Sequence, residues 1–194
     1  MRMRVFAGLT ILAVLLAAGC KSGILPASRP EGPRAKVEEV TAIEEELSDF
    51  RLVEIERPRN ASGTEVSGEF LEGISNHTVD VLAALWLFEV VTAVDEAETG
   101  RELAPTLIVR TELSRVGEPA KINPLATGHF ATAKTTFIEK KTGRILGVYL
   151  LETPVKGDPP FGPKNTGAFR RLSLAITDIL EDHALRAVDK RWGR

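Results

Sequence analysis

The chain has 194 residues and a formal charge of −2 at pH 7, with 43% hydrophobic and 27% charged residues, as in ordinary globular proteins. Its slight acidic excess argues against nucleic-acid binding, which needs a basic surface to neutralise phosphates. Cys20 is the only cysteine, so an intrachain disulfide and a cysteine-rich zinc site are both excluded.

The first 20 residues have the parts of a bacterial export signal. Arg2 and Arg4 supply positive charge, and residues 5–18 form an apolar segment that is shorter than the roughly 20 residues a membrane span needs. Residues 16–20 read Leu-Ala-Ala-Gly-Cys, which resembles the lipobox of bacterial lipoproteins. The resemblance implies cleavage just before Cys20 and acyl chains on that residue. A plain secretory signal with an accidental cysteine is the alternative.

The segment after the cysteine is predicted to be a tether. Residues 21–35 contain three prolines and two glycines, which oppose both helix and sheet. Such a segment reaches about 45 Å at about 3.1 Å per residue. We therefore predict a signal peptide over residues 1–19, a lipidated cysteine and flexible tether over 20–35, and a single domain over 36–194.

The residue after the cysteine bears on location. Lys21 stands where, in enterobacterial lipoproteins, an aspartate signals retention in the inner membrane. Because that aspartate is absent, we expect the protein at the outer membrane, facing the periplasm. Two or more acyl chains hold a protein stably at a membrane, so we also expect lipid anchoring through Cys20.

Residues 36–48 are predicted to form a helix followed by a strand over 50–56. Apolar residues recur three or four positions apart in the first segment, namely Val37, Val40, Ile43 and Leu47. A strand over 37–43 is the alternative. Residues 50–56 carry apolar side chains of both parities, which is typical of a strand covered on both faces.

A long helix is predicted over residues 65–87. Gly68 and Gly73 weaken its first half, so its secure part should begin near Asn76, a good helix cap. The β-rich composition of residues 88–94 then predicts a strand, with a continued helix as the alternative.

Two similar turns follow, at residues 98–101 (Glu-Thr-Gly-Arg) and 141–144 (Lys-Thr-Gly-Arg). Both place glycine after polar residues, where a tight hairpin needs a positive φ. β-rich arms over 130–138 and 145–151 flank the second turn, which makes it the clearer hairpin prediction.

The remaining elements complete a mixed fold. Residues 106–113 alternate so that one face carries Leu107, Val109, Thr111 and Leu113. Loops are predicted over 117–128 and 153–167, and a second long amphipathic helix over 166–191. Two such helices need an apolar sheet to cover, which predicts an α/β (α+β) two-layer sandwich with a four- to five-stranded, mainly antiparallel sheet.

The sequence offers little that points to catalysis. His77, His129 and His183 are too far apart for a local metal pair. The Lys-Thr-Gly at 141–143 matches a short element of penicillin-binding enzymes, but no serine has a lysine three residues later. There is also no phosphate-binding loop and no Gly-x-Ser-x-Gly. We predict no metal, no cofactor and no enzymatic activity.

Three aromatic residues are candidates for a partner or ligand surface. Trp86 and Phe88 lie where a helix joins a strand, and Phe161 lies in the Pro-rich loop over 153–167. Bulky apolar residues are more often part of the core, which is the alternative for all three.

Residues from about 50 to 185 resemble small uncharacterised lipoproteins of the bacterial envelope. The likeness rests on the lipobox at Cys20, the Leu-Ala-Ala-Leu-Trp-Leu-Phe-Glu-Val-Val of residues 82–91 and the hairpin at 141–144. Related architectures occur in lipoproteins that assist transporters, secretion pores or outer-membrane assembly. The resemblance implies a non-enzymatic, lipid-anchored protein that binds an envelope partner or organises a complex. The alternative is a module for a lipid or other apolar ligand, held between helix and sheet.

Overall fold

The computed structural model describes residues 32–100, 104–118, 122, 129–155 and 166–192, with side chains as far as Leu185. Cys20, the signal peptide, most of the tether and Phe161 therefore lie outside the described residues. The elements in chain order are β1 (Lys36–Thr41), a short 3-10 helix (Leu47–Asp49), β2 (Leu52–Glu56), β3 (Arg59–Asn60), α1 (Gly68–Leu85), β4 (Val90–Val94), β5 (Thr106–Glu118), β6 (His129–Glu139), β7 (Ile145–Val155) and α2 (Thr166–Trp192).

One mixed sheet of seven strands forms the scaffold. Its order is β1-β7-β6-β5-β2-β4, and the short β3 pairs with β5. The β1/β7, β7/β6 and β6/β5 pairs are antiparallel, whereas β2 runs parallel to both β4 and β5. The prediction of a mixed α/β fold is confirmed. The sheet differs from the predicted one because it has seven strands rather than four or five, and three of its six strand pairings are parallel.

The parallel arrangement explains why the predicted hairpin at residues 98–101 is absent. β2 lies between β4 and β5, so the segment after β4 must cross β2 to reach β5. Ala97 in that segment packs with Ile108 and Ile138, and Gly100 has the positive φ of 118° that the sequence suggested. The glycine therefore has the predicted backbone conformation, but β4 and β5 on either side of the turn are not neighbours.

Both helices pack against one face of the sheet. Leu107, Val109 and Leu113 are completely buried there, as the alternation in β5 predicted. Successive side chains on a strand point to opposite faces, so Ile108 and Arg110 lie on the face without helices, which we call the open face. The largest fully buried side chains are Phe70, Phe137, Leu47, Ile74, Leu82, Leu107, Ile108, Leu113, Leu151, Leu172, Ile176 and Leu180.

Helix α1 begins earlier than its glycines suggested. Ser67 caps it, with its hydroxyl oxygen accepting from the Phe70 N–H at 3.2 Å. A side chain at Gly73 would come within 2.9 Å of the Phe169 ring on α2. Gly73 is therefore the place where the two helices approach closely. The helix predicted over residues 65–87 is confirmed, and it is continuous from Gly68 rather than secure only from Asn76.

The helix predicted over residues 36–48 is also wrong, and the alternative strand is what forms. β1 pairs with β7, with Glu39 opposite Tyr149. Val37 and Val40 are 45% and 56% exposed, so they belong to no buried stripe. As a strand, β1 forms backbone hydrogen bonds with β7, whose N–H and C=O groups would otherwise be unpaired at the sheet edge. These hydrogen bonds outweigh the preference for a helix that the spacing of the apolar residues indicates.

The other predicted elements form with shifted ends. The strands predicted over 50–56 and 88–94 are confirmed as β2 and β4, and β7 continues four residues beyond the predicted arm to Val155. The closing helix is confirmed as α2. Within the described ranges, neither helix combines the length and apolar character needed to span a membrane.

Candidate functional site

The structure separates the two aromatic residues that the sequence placed together. Trp86 is 78% exposed, while Phe88 is only 8% exposed and belongs to the main core. Phe88 is thus not part of a surface, which corrects its inclusion among the contact candidates. Phe161 and Cys20 lie outside the described part of the chain, so their roles stay predictions.

Trp86 owes its exposure to an unusual backbone conformation. It caps the C-terminus of α1 with φ 56° and ψ 27°, and among the described residues it is the one non-glycine with a positive φ. The left-handed turn reverses the chain so that Leu87 and Phe88 point inward. Glycine or asparagine usually takes this position, and another residue costs about 1 kcal/mol there.

Glu89, three residues after Trp86, forms an exposed ion pair with Arg51. Arg51 donates from Nε to Glu89 Oε1 at 2.6 Å and from its terminal nitrogen to Oε2 at 2.5 Å. These hydrogen bonds lower the pKa of Glu89 and raise that of Arg51. The Glu89 N–H also donates to the Arg51 carbonyl at 2.8 Å, so the segment after Trp86 is fastened to β2.

An acidic cleft lies at the same end of the sheet. Leu52 pairs with both Val90 and Thr106, and Leu107 pairs with Glu139, so the starts of β2, β4 and β5 and the β6–β7 turn lie together. A cleft of about 410 Å³ opens there, lined by Glu45, Glu46, Asp49, Phe50, Pro105, Glu139 and Arg144.

Arg144 is the basic residue among those that line the cleft. Arg144 forms an ion pair with Glu45 and a second, at 3.6 Å, with Glu139. Within the described residues, no group of three or more histidine, cysteine, aspartate or glutamate side chains is arranged to hold a metal ion.

The chain enters the domain at the opposite edge of the sheet. The Ala35 N–H donates to the Arg171 carbonyl at 3.1 Å, and Arg34 forms a 2.9 Å ion pair with Asp178, so this segment lies against α2. β1 follows and forms one edge, while β4 forms the other, five strand positions away. At about 4.8 Å a strand, that separation is about 24 Å.

The open face carries a second cleft and a buried ion pair. Glu56 is 1% exposed, and its carboxylate accepts from Arg110 at 2.6 and 2.7 Å and from the Ala97 N–H at 3.1 Å. The hydrogen bond to Glu56 raises the pKa of Arg110. Arg110 also lines a cleft of about 590 Å³ with Glu96, Ala97, Glu98 and Thr99. Because the carboxylate is already bonded on both oxygens, we interpret the pair as the fastening of the crossing segment.

Two histidines have partners that the sequence did not reveal. His77 Nδ1 lies 2.6 Å from Ser173 Oγ, and that hydroxyl also lies 3.1 Å from the Phe169 and Arg170 carbonyls. Burial and the nearby Arg170 charge lower the pKa of His77. Ser173 is completely buried between the helices, so this serine–histidine contact joins α1 to α2 and is closed to a substrate.

The second pairing lies under β1. His183 Nε2 is 3.1 Å from the Tyr149 hydroxyl, which also donates to Glu39 at 3.3 Å. His183 follows Leu180 and Ile179 by three and four residues, a helical spacing that indicates burial on the same face of α2. Nothing local in the sequence indicated Tyr149 or Glu39, because they come from strands 110 residues apart.

No protein-family model and no curated protein matches the chain. Among solved structures, it is similar to the PelC dodecamer from Paraburkholderia phytofirmans, with 11% identity, coverage of 75% of this chain and 96% of that chain, and a TM-score of 0.44. It is also similar to a DUF330 protein from Xanthomonas campestris, with 7% identity, coverage of 82% and 98%, and a TM-score of 0.44. A DUF4136 family protein from Bacteroides thetaiotaomicron shows 12% identity, coverage of 79% and 98%, and a TM-score of 0.45. These structural neighbours are distant bacterial proteins.

Proposed function

We propose that the protein is a lipid-anchored envelope lipoprotein that binds a partner protein and has no enzymatic role. Acyl chains on Cys20 hold it at the outer membrane, with the domain facing the periplasm. The lipobox, the Pro-rich tether and the absence of catalytic motifs from the sequence support this proposal.

The observation that carries the partner-binding role is the exposed indole of Trp86. A tryptophan that is 78% exposed contributes little to the core, and its left-handed backbone would suit glycine better. Its position on a helix cap fixes the backbone before binding, which reduces the entropy lost in a complex. Tryptophan is also among the residues that most often dominate protein interfaces.

The position of Trp86 suits a partner approached from the periplasm. The chain leads toward Cys20 from the β1 edge, beside α2, whereas Trp86 precedes the strand at the other edge. A partner bound at Trp86 would therefore lie on the far side of the sheet from the anchor.

The alternative of an apolar ligand between helix and sheet gains no support from the packing. Completely buried side chains such as Phe70, Phe137 and Leu172 fill that layer. A ligand there would have to displace them, at a cost of several kcal/mol in lost packing.

Photo-crosslinking in intact cells tests the partner contact. A photoreactive amino acid at position 86 should give one discrete product with an envelope protein, identifiable by mass spectrometry. The matched control is position 185, where Leu185 is also an exposed apolar side chain, at 42%. No product at position 86, or identical products at both positions, would contradict the proposal.

A second experiment tests the anchor separately. The Cys20→Ala chain should leave the membrane fraction, because the residue that receives the acyl chains is lost. An unchanged membrane fraction would show that another feature holds the protein at the membrane.

A further inference from the structure

The two edges of the sheet are protected very differently. β1 carries Lys36, Glu38 and Glu39, and its register shifts between Glu39 and Thr41. Charges and bulges of this kind prevent another strand from pairing with an edge. β4 reads Val-Val-Thr-Ala-Val, without charge, proline or any shift in its register with β2. In the described part of the chain, β4 is thus the edge that lacks these devices.

The backbone of β4 is arranged to accept a further strand. The Val90 N–H donates to the Arg51 carbonyl and the Val94 carbonyl accepts from the Arg57 N–H, so both residues face β2. Because the polar groups of a strand alternate in direction, Thr92 also faces β2, while Val91 and Ala93 direct theirs outward.

We propose that β4 pairs with β4 of a second copy of this chain, antiparallel and centred on Thr92. A two-fold contact makes the same strand meet itself, and such pairing must be antiparallel. The sequence of β4 suits this, since an uncharged strand meets an equally uncharged one. The contact needs only the chain itself, so it stands apart from the partner contact proposed at Trp86.

This register matches side chains on both faces. Val91 falls opposite Ala93 of the second copy in hydrogen-bonded pairs, which use the outward polar groups. Val90, 52% exposed in one copy, falls opposite Val94 of the other, and the two Thr92 residues face each other. Apolar and Thr–Thr cross-strand pairs are stabilising.

The ends of the strand limit the pairing to these five residues. Beyond them Glu89 falls opposite Asp95 of the second copy, and carboxylates facing each other are unfavourable.

Cysteine crosslinking of the full-length chain in membranes tests the proposal. At the centre of the contact the two Thr92 residues form a non-hydrogen-bonded pair, whose Cα atoms lie about 4.5 Å apart, within the range of a disulfide. Under a mild oxidant, Thr92→Cys should therefore give a covalent dimer several-fold above the wild-type background, which reports any reaction of Cys20. The matched edge control is Val40→Cys on β1, where Val40 is 56% exposed. A Thr92→Cys yield no greater than that of Val40→Cys would overturn the proposal.

Lysine substitution in the Thr92→Cys chain gives an independent readout. Val90→Lys places charge in the contact and should lower the dimer yield several-fold, whereas Val40→Lys should leave it unchanged. Circular dichroism of both variants shows whether the fold is intact. Equal yields for the two lysine variants would exclude β4 as the contact, whatever partner binds at Trp86.

Discussion

Arg110 on β5 binds both carboxylate oxygens of Glu56 at the end of β2, with donor–acceptor distances of 2.6 and 2.7 Å. Glu56 is buried, whereas the Arg110 side chain is one-third exposed. We expect Arg110→Met to destabilise the fold by about 3 kcal/mol, because it leaves a buried carboxylate with the Ala97 N–H alone. Urea unfolding of the purified chain measures this loss.

Substitution of the other partner, Glu56, provides the comparison. Glu56→Gln leaves Arg110 partly in contact with water, so it should cost less, about 1 kcal/mol. The double variant should be more stable than Arg110→Met alone, because the uncompensated charge is gone. A larger loss for Glu56→Gln than for Arg110→Met would contradict this account of the pair.

Substitutions at Trp86 separate the cost of its backbone from the role of its side chain. Trp86→Ala and Trp86→Gly both remove the indole, but only glycine adopts φ 56° without strain. We therefore expect the free energy of unfolding of Trp86→Gly to be about 1 kcal/mol larger than that of Trp86→Ala. Both should lose the partner contact equally. If the alanine variant were the more stable, the left-handed cap would not be strained.

Gly147 lies where β1 and the following turn press against β7. A methyl group there would collide with Ile43 Cγ1, a buried atom, and lie 3.2 Å from the Thr41 carbonyl oxygen. Gly147→Ala should thus cost about 2 kcal/mol through overpacking. The control is Gly167→Ala in α2, whose nearest neighbour is the end of the Arg171 side chain at 3.4 Å. Equal thermal midpoints for the two variants would rule out the close approach.

His77 should make the stability depend on pH. Burial lowers its pKa below the ordinary value of 6.5, so the unfolded chain binds its proton more readily. Its contribution is complete above the unfolded pKa and is lost as the pH falls from there through the folded pKa. Urea unfolding at about pH 7.5 and about pH 5.5 should show a smaller loss for His77→Gln than for the wild type. A loss for His77→Gln equal to that of the wild type would contradict this account.

Elements with a strong one-faced period could be predicted from the sequence. The alternation of Leu107, Val109 and Leu113 correctly predicts the buried face of β5. The amphipathic pattern that includes Leu172 and Ile176 correctly predicts α2. In both cases the local period agrees with the face that the fold buries.

The errors arise where long-range pairing decides the structure. Val37 and Val40 fit a helix as well as a strand, and only β7, more than 100 residues later, makes them a strand. The parallel position of β2 depends likewise on β4 and β5 together, which no local pattern reveals.

The candidate site was predictable only in part. The sequence indicated both Trp86 and Phe88 as contact candidates because both are large apolar residues, but only Trp86 is exposed. The left-handed cap that turns one outward and the other inward is a single backbone choice. Its sequence signal would have been a glycine, and that signal is missing.

The pairing of β1 with β7 has a consequence for how the protein is made. β5, β6 and β7 are successive antiparallel neighbours and can assemble as soon as they have been synthesised. β1 emerges before all of them, yet Glu39 must wait for Tyr149, 110 positions later. During that interval β1 has no strand to pair with. The last step of folding is then expected to join the strand that was synthesised first, β1, to the one synthesised last, β7.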